Sequence, residues 1–174
     1  MYRIRSASIA VASILALASC MKETPAGSDS AQTVTAVPTA DAAADEQAIR
    51  AINPAWFKAH QSGDVDGIVA LYSDDAVISA PGAAPARGTA AIRAMFAKEM
   101  ADMSAAGLTQ TPGSAPEFGV SGDLGYEWNT YTLTDKSGKT IDTGKYTSVF
   151  ARRNGKWVII RDTWNSDMPP APAP

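Results

Sequence analysis

An α+β fold is what this sequence predicts, and two observations along the chain predict it. From about residue 42 to residue 106 apolar side chains recur at helical spacing, whereas after Gly107 they alternate with period two through five runs separated by turn residues. The chain has 174 residues, 45% of them hydrophobic, which is enough for one core and not for two. Helices followed by a run of strands, rather than strands and helices in alternation, then mean one α+β domain.

The first helix is predicted from about Ala42 to Gln61. Ile49, Ile52, Trp56 and Ala59 make its apolar stripe, with Asp45, Glu46, Arg50 and Lys58 on its other faces. Pro54 lacks a backbone donor, so a kink is expected there, or a restart with Asn53 as N-cap. Gly63 closes this helix and Asp64 caps a short second one through Leu71. A short strand is predicted over 76–80, stopped by Pro81-Gly82. Thr89 then caps a third helix whose stripe is Ile92, Met95, Phe96 and Met100. The remaining strands are predicted over 108–111, 117–120, 124–134, 140–152 and 156–165 as an antiparallel sheet.

Outside the periodic region the chain reads differently. Arg3 and Arg5, the apolar run from Ile9 to Leu17, and Leu17-Ala18-Ser19-Cys20 form a targeting segment too short to span a bilayer. Its exit resembles the bacterial lipobox, in which the cysteine is acylated and becomes the new N-terminus. Residues 1–19 are then a lipoprotein signal peptide and Cys20 the point of lipid attachment. Met21, standing where Asp would retain a lipoprotein at the inner membrane, favours the outer one. Residues 20–40 are small, polar and Pro-containing, a disordered tether; residues 41–167 are the domain, and 168–174 a Pro-rich tail. The expected location is the periplasmic side of the cell envelope. Cys20 is the only cysteine, so the domain stands without a disulfide.

The net charge of −3 and a pI near 5.1, with no Lys/Arg block in the domain, give no footprint for nucleic acid. The membrane is expected as a partner only through the lipid. No phosphate loop, dinucleotide fingerprint or zinc spacing is present, so neither cofactor nor metal is implied.

The segment SGDVDGIVALYSDDAVISAPGAAPARGTAAIRAMF, residues 62–96, resembles the opening of the bacterial ketosteroid isomerases. GDLGYEWNTYTLT, GKYTSVFARRNGKW and RDTWNSD resemble the SnoaL-like group also called domain of unknown function 4440. Both belong to the nuclear transport factor 2-like superfamily. The resemblance implies a cone of three N-terminal helices packed on a strongly curved antiparallel sheet, commonly a homodimer, with a cavity inside. The isomerase chemistry needs a basic carboxylate and two acidic donors. The correspondence puts the donor positions on Trp56 and Thr147 and the base position on Ala80, none of which suits its role, so ketosteroid isomerase activity is rejected.

Turn chemistry orients the strands. Asn154-Gly155 reads as a type I′ hairpin turn that pairs Arg153 with Lys156, and stepping along the ladder sets Thr147 opposite Asp162 and Lys145 opposite Trp164. Lys145, Thr147, Val149, Ile160, Asp162 and Trp164 then share one face, joined by Trp128 if residues 135–138 form a loop. The isomerase correspondence turns this face inward. The expected cavity lining is Trp56, Ile78, Ala80, Met100, Trp128, Lys145, Thr147, Ile160, Asp162 and Trp164, with Lys145 and Asp162 paired at its floor. The opposite face, with Tyr146, Phe150 and Trp157, is the expected homodimer surface.

The pair admits three roles: closing the cone, orienting a ligand, or catalysis with Asp162 as a base of raised pKa. His60, one turn beyond Trp56, has no nucleophile or ligand cluster beside it, and Asp74 and Asp75 read as solvated turn residues. Non-catalytic binding of a small amphipathic molecule is the leading expectation. A cofactor-free isomerase, dehydratase or hydrolase-like enzyme using Asp162 is the alternative, and a filled cone acting only by association a third.

Overall fold

The computed structural model describes residues 39–169; the targeting segment, Cys20, most of the tether and residues 170–174 lie outside them. In order the elements are α1 (Thr39–Ser62), α2 (Val65–Val69), β1 (Tyr72–Ser79), β2 (Ala86–Arg87), α3 (Gly88–Ala106), β3 (Thr109–Pro112), β4 (Glu117–Ser121), β5 (Leu124–Thr134), β6 (Thr140–Arg153) and β7 (Lys156–Ser166). Three helices followed by long strands make the expected α+β plan.

The helices differ from expectation at their punctuation. α1 runs through Pro54 without restarting, and Asn53 caps nothing; its amide instead reaches across to the sheet. The helix keeps its course because tertiary packing on both sides of Pro54, by Ile49 and Ile52 before it and Phe57 and Ala59 after it, outweighs one lost backbone bond. Asp64 caps α2 as expected, its Oδ1 accepting from Gly67 N at 2.8 Å. Thr89 lies inside the first turn of α3, after Arg87, which provides no side-chain cap. Gly107, with φ of 66°, ends α3 in the left-handed conformation and hands the chain to β3.

The sheet runs β2-β1-β7-β6-β5-β3, with β4 also paired to β5. It is mixed rather than antiparallel, because β1 lies parallel to β7. That pairing is made possible by the chain crossing from β1 through α3 before the meander begins. β1 starts at Tyr72, not Ala76, and Asp74 and Asp75 are exposed strand residues at an irregular stretch of it. The sheet curves around a core in which Ile49 and Ile52 of α1, Ile92, Phe96 and Met100 of α3, Ile68, Ile78, Phe150 and Ile159 are buried together.

The hairpin turn forms as predicted, with φ of 50° at Asn154 and 79° at Gly155, and pairs Arg153 with Lys156. The register holds as far as Phe150 opposite Ile159. It then shifts by one, so that Val149 faces Arg161 and Ser148 faces Asp162. Ile160 is the extra residue of a β-bulge, and it reverses the parity of everything beyond it on β7. The predicted face therefore divides: Asp162 and Trp164 turn inward, whereas Lys145, Thr147, Val149 and Ile160 lie on the outer face. Trp128, opposite Thr147, lies outside with them.

The same bulge corrects two further expectations. Lys145 pairs with Asp167 on the outer side and not with Asp162. Tyr146 and Phe150 line the inside of the cone and Trp157 donates its indole N–H to Asp45 of α1 at 3.1 Å, so the face these three share is the concave one against the helices and not the outer one expected for a homodimer surface.

Single cysteines read this parity directly. Ser148 and Thr163 face the same way in a regular ladder and opposite ways across the bulge. In a Cys20→Ser background, Thr163→Cys should react with a soluble maleimide at the rate of an exposed thiol and Ser148→Cys at least about tenfold more slowly. Equal rates would restore the regular ladder.

Candidate functional site

Between α1, the C-terminal half of α3 and the concave face of the sheet lies a cavity of about 200 Å³. Strand register sorts its wall into rows. Nearest the hairpin, Phe150 and Ile159 make an apolar floor; next come Glu127, Ser148 and Asp162 side by side on β5, β6 and β7; then Tyr146 and Trp164 on β6 and β7. At the far end the partly buried Gln110, Leu133 and Asp142 form a row across β3, β5 and β6. α1 closes the hollow with Ile52, Asn53, Trp56 and Phe57, and α3 adds Glu99 and Met103. Helical spacing explains the α1 set: residues 52, 53, 56 and 57 lie on one face.

Two carboxylates are buried in the middle row, Glu127 at 1% exposure and Asp162 at 8%. Among the described residues neither is paired with a cation; each is held by hydrogen bonds. Tyr72 Oη donates to Asp162 Oδ2 at 2.6 Å and Ser148 Oγ to Oδ1 at 3.0 Å, while Trp56 Nε1 donates to Tyr72 Oη at 3.0 Å. Glu127 Oε1 accepts from Tyr146 Oη at 2.8 Å and from Asn53 Nδ2, which also donates to Tyr146 Oη. Burial is the main cause that raises the pKa of Asp162, to about 6, against the pull of its two hydroxyl donors. It also raises Glu127, with a smaller contribution from the Asp162 charge. Tyr72 and Tyr146 are pushed up, by burial first and the adjacent carboxylate second, so both remain neutral donors.

His60 lies behind this wall. Its ring stacks on Trp56 with centroids 4.8 Å apart, its side chain is 3% exposed, and Nε2 has no hydrogen-bond partner among the described residues. Glu99 Oε1 is 3.6 Å from that nitrogen. Among the described residues no three His, Cys, Asp or Glu side chains converge as metal ligands.

Of the residues expected to line the cavity, Trp56, Asp162 and Trp164 do so. Ile78 and Met100 are packed in the core behind it, and Ala80 follows the end of β1 away from it. Trp128, Lys145, Thr147 and Ile160 are on the outer face, where Trp128, Lys145 and Thr147 border a separate shallow groove. Glu127, Tyr146, Ser148, Asn53 and Tyr72 were not anticipated. In GYEWN both faces of β5 carry bulky aromatic or polar residues, so alternation alone favours burying Trp128 over Glu127.

The model of the SnoaL-like domain family matches residues 54–160. Solved structures of the same shape include a nuclear transport factor 2-like protein with a cystatin-like fold from Novosphingobium aromaticivorans, 22% identical, covering 74% of this chain and 86% of that one with a TM-score of 0.66. Another, from Pseudomonas putida, is 22% identical over 74% of this chain and 98% of that one, with a TM-score of 0.65. A ketosteroid isomerase-like protein from Erwinia carotovora is 18% identical over 72% and 98%, with a TM-score of 0.56. At these identities the likeness concerns the fold.

The raised pKa of Asp162 makes stability depend on pH in a stated direction. The folded state holds the proton up to about 6 and the unfolded chain only to about 3.8, so the contribution of this group falls as pH rises between those values and is level above them. Asp162→Asn keeps the shape and loses the titration. Urea unfolding should find the wild type gaining on the variant, between pH 7 and pH 4, by about 2 kcal/mol. A difference that does not change with pH would contradict the buried, unpaired state of this carboxylate.

Proposed function

We propose, for a chain that belongs to the SnoaL-like domain family, that the domain binds a small amphipathic molecule inside its cone without transforming it. The observation that supports this most is the division of the cavity into an apolar floor, aromatic sides and a row of fixed polar groups, the arrangement by which a pocket both buries and orients a ligand. Asp162 favours binding over catalysis in this reading. Hydroxyls of the protein donate to both its oxygens, which fixes the carboxylate in place and lowers its basicity towards a substrate proton.

A second reading keeps one observation on its side. A carboxylate with a pKa near 6 is suited to proton transfer, and Asp162 would then be the general base of a cofactor-free isomerase, dehydratase or hydrolase-like reaction. Steroid isomerisation is not part of it, since Ala80 has no proton acceptor and neither it nor Thr147 borders the hollow.

The sequence supports placing this activity in the cell envelope. Lipid attachment at Cys20 would hold the domain on the periplasmic side, at the outer membrane, with residues 21–40 as spacer. A palmitate label should enter the wild-type protein and be lost in Cys20→Ser; label retained in the variant would rule out this anchor.

Native mass spectrometry of the protein from its own cells tests the binding reading. A small molecule should be released on denaturation and be recovered unchanged after incubation with fresh protein. Conversion to a species of different mass or retention time by the wild type, but not by Asp162→Asn, would replace binding with catalysis.

A further inference from the structure

The charge of the cavity wall is one-sided. Four carboxylates line it, Glu99, Glu127, Asp142 and Asp162, and among the described residues no Lys, Arg or His does. The cations that sequence or proximity suggests are used elsewhere: Lys145 pairs with Asp167 on the outer face, and Arg50 pairs with Glu46 and lies over the Phe118 ring. Such a hollow is electrostatically incomplete in its middle row, because burial leaves Glu127 and Asp162 neither bulk water nor, among the described residues, a paired cation to lower their energy, whereas Glu99 and Asp142 are only partly buried.

One atom marks where the deficit lies. Glu127 Oε1 takes both protein donors, whereas Oε2 receives no hydrogen bond from the described residues, although the residue is 1% exposed and lines the hollow. Aromatic side chains, chiefly Trp56, Tyr146 and Trp164, line the same hollow, and an aromatic ring attracts a cation over its face more strongly when water is excluded. The size is informative too: a dry cavity of roughly 150 Å³ holds one benzene, so about 200 Å³ suits one ring with a short chain.

Resting on the binding reading above, we infer that the ligand of this cavity is a small organic cation, an amine or quaternary ammonium attached to a compact apolar body, whose charged group is received by Glu127 Oε2. The apolar body lies on Phe150 and Ile159. No three ligating side chains converge among the described residues, so a bare metal ion lacks the donor set this organic cation does not need.

Three probes of matched shape separate the possibilities on the purified protein: 2-phenylethylamine, 2-phenylethanol and phenylacetate, titrated by calorimetry at neutral pH. The amine should bind at least about tenfold more tightly than the alcohol, and phenylacetate more weakly than both. The ratio of amine to alcohol affinity should collapse towards one in Glu127→Gln. Should that variant fail to fold, the order of the three probes on the wild type decides alone. Equal affinities would overturn the cation while leaving the cavity a binding site, and phenylacetate binding tightest would do the same. No binding of any probe up to about 10 mM would overturn both readings together.

Discussion

One extra residue in β7 determines what this cone contains. Without the bulge at Ile160, Asp162 would stand opposite Thr147 and the inner face would carry neither it nor Trp164. With it, Trp157 and Ile159 before the bulge and Asp162 and Trp164 after it all turn toward the helices. The extra residue also increases local twist and bends the strand, which helps the sheet wrap around α1 and α3. Curvature and site are thus products of the same irregularity.

The row it completes is costly to the fold. Burying Glu127 and Asp162 without cations removes them from water, and the hydroxyls and amide of Tyr72, Ser148, Tyr146 and Asn53 recover only part of that loss, as the raised pKa of Asp162 records. An apolar row would pack against Phe150 and Ile159 at lower free energy. The remaining hydrophobic contacts of α1 and α3 carry the stability, and the polar row is where local preference and global fold disagree, which is where function is usually found.

Much of the architecture was legible in the sequence because it rests on local rules. Gly107 and Asn154-Gly155 adopt the positive φ their types allow, Asp64 caps as its side chain predicts, and β5 has the bounds its alternation gives. What was not legible rests on tertiary choice. Pro54 is tolerated because packing outweighs the lost bond, and the parallel β1–β7 contact joins segments far apart in the chain. Ile160 has no glycine or other local mark of a bulge, so period-two alternation carries the parity straight through it and exchanges the lining residues of β6 for their neighbours. Asp162 and Trp164 fall inside because the expected inward face and the shift in register err in opposite senses.

The site rests on the adjacency of Glu127, Ser148 and Asp162 on the concave face, which nuclear Overhauser effects read out. Side chains opposite one another on one face have Cβ atoms roughly 5 Å apart. Cross-peaks are expected between the Hβ protons of Ser148 and those of both Glu127 and Asp162. Cross-peaks joining Asp162 to Thr147 instead, with none to Ser148, would contradict it.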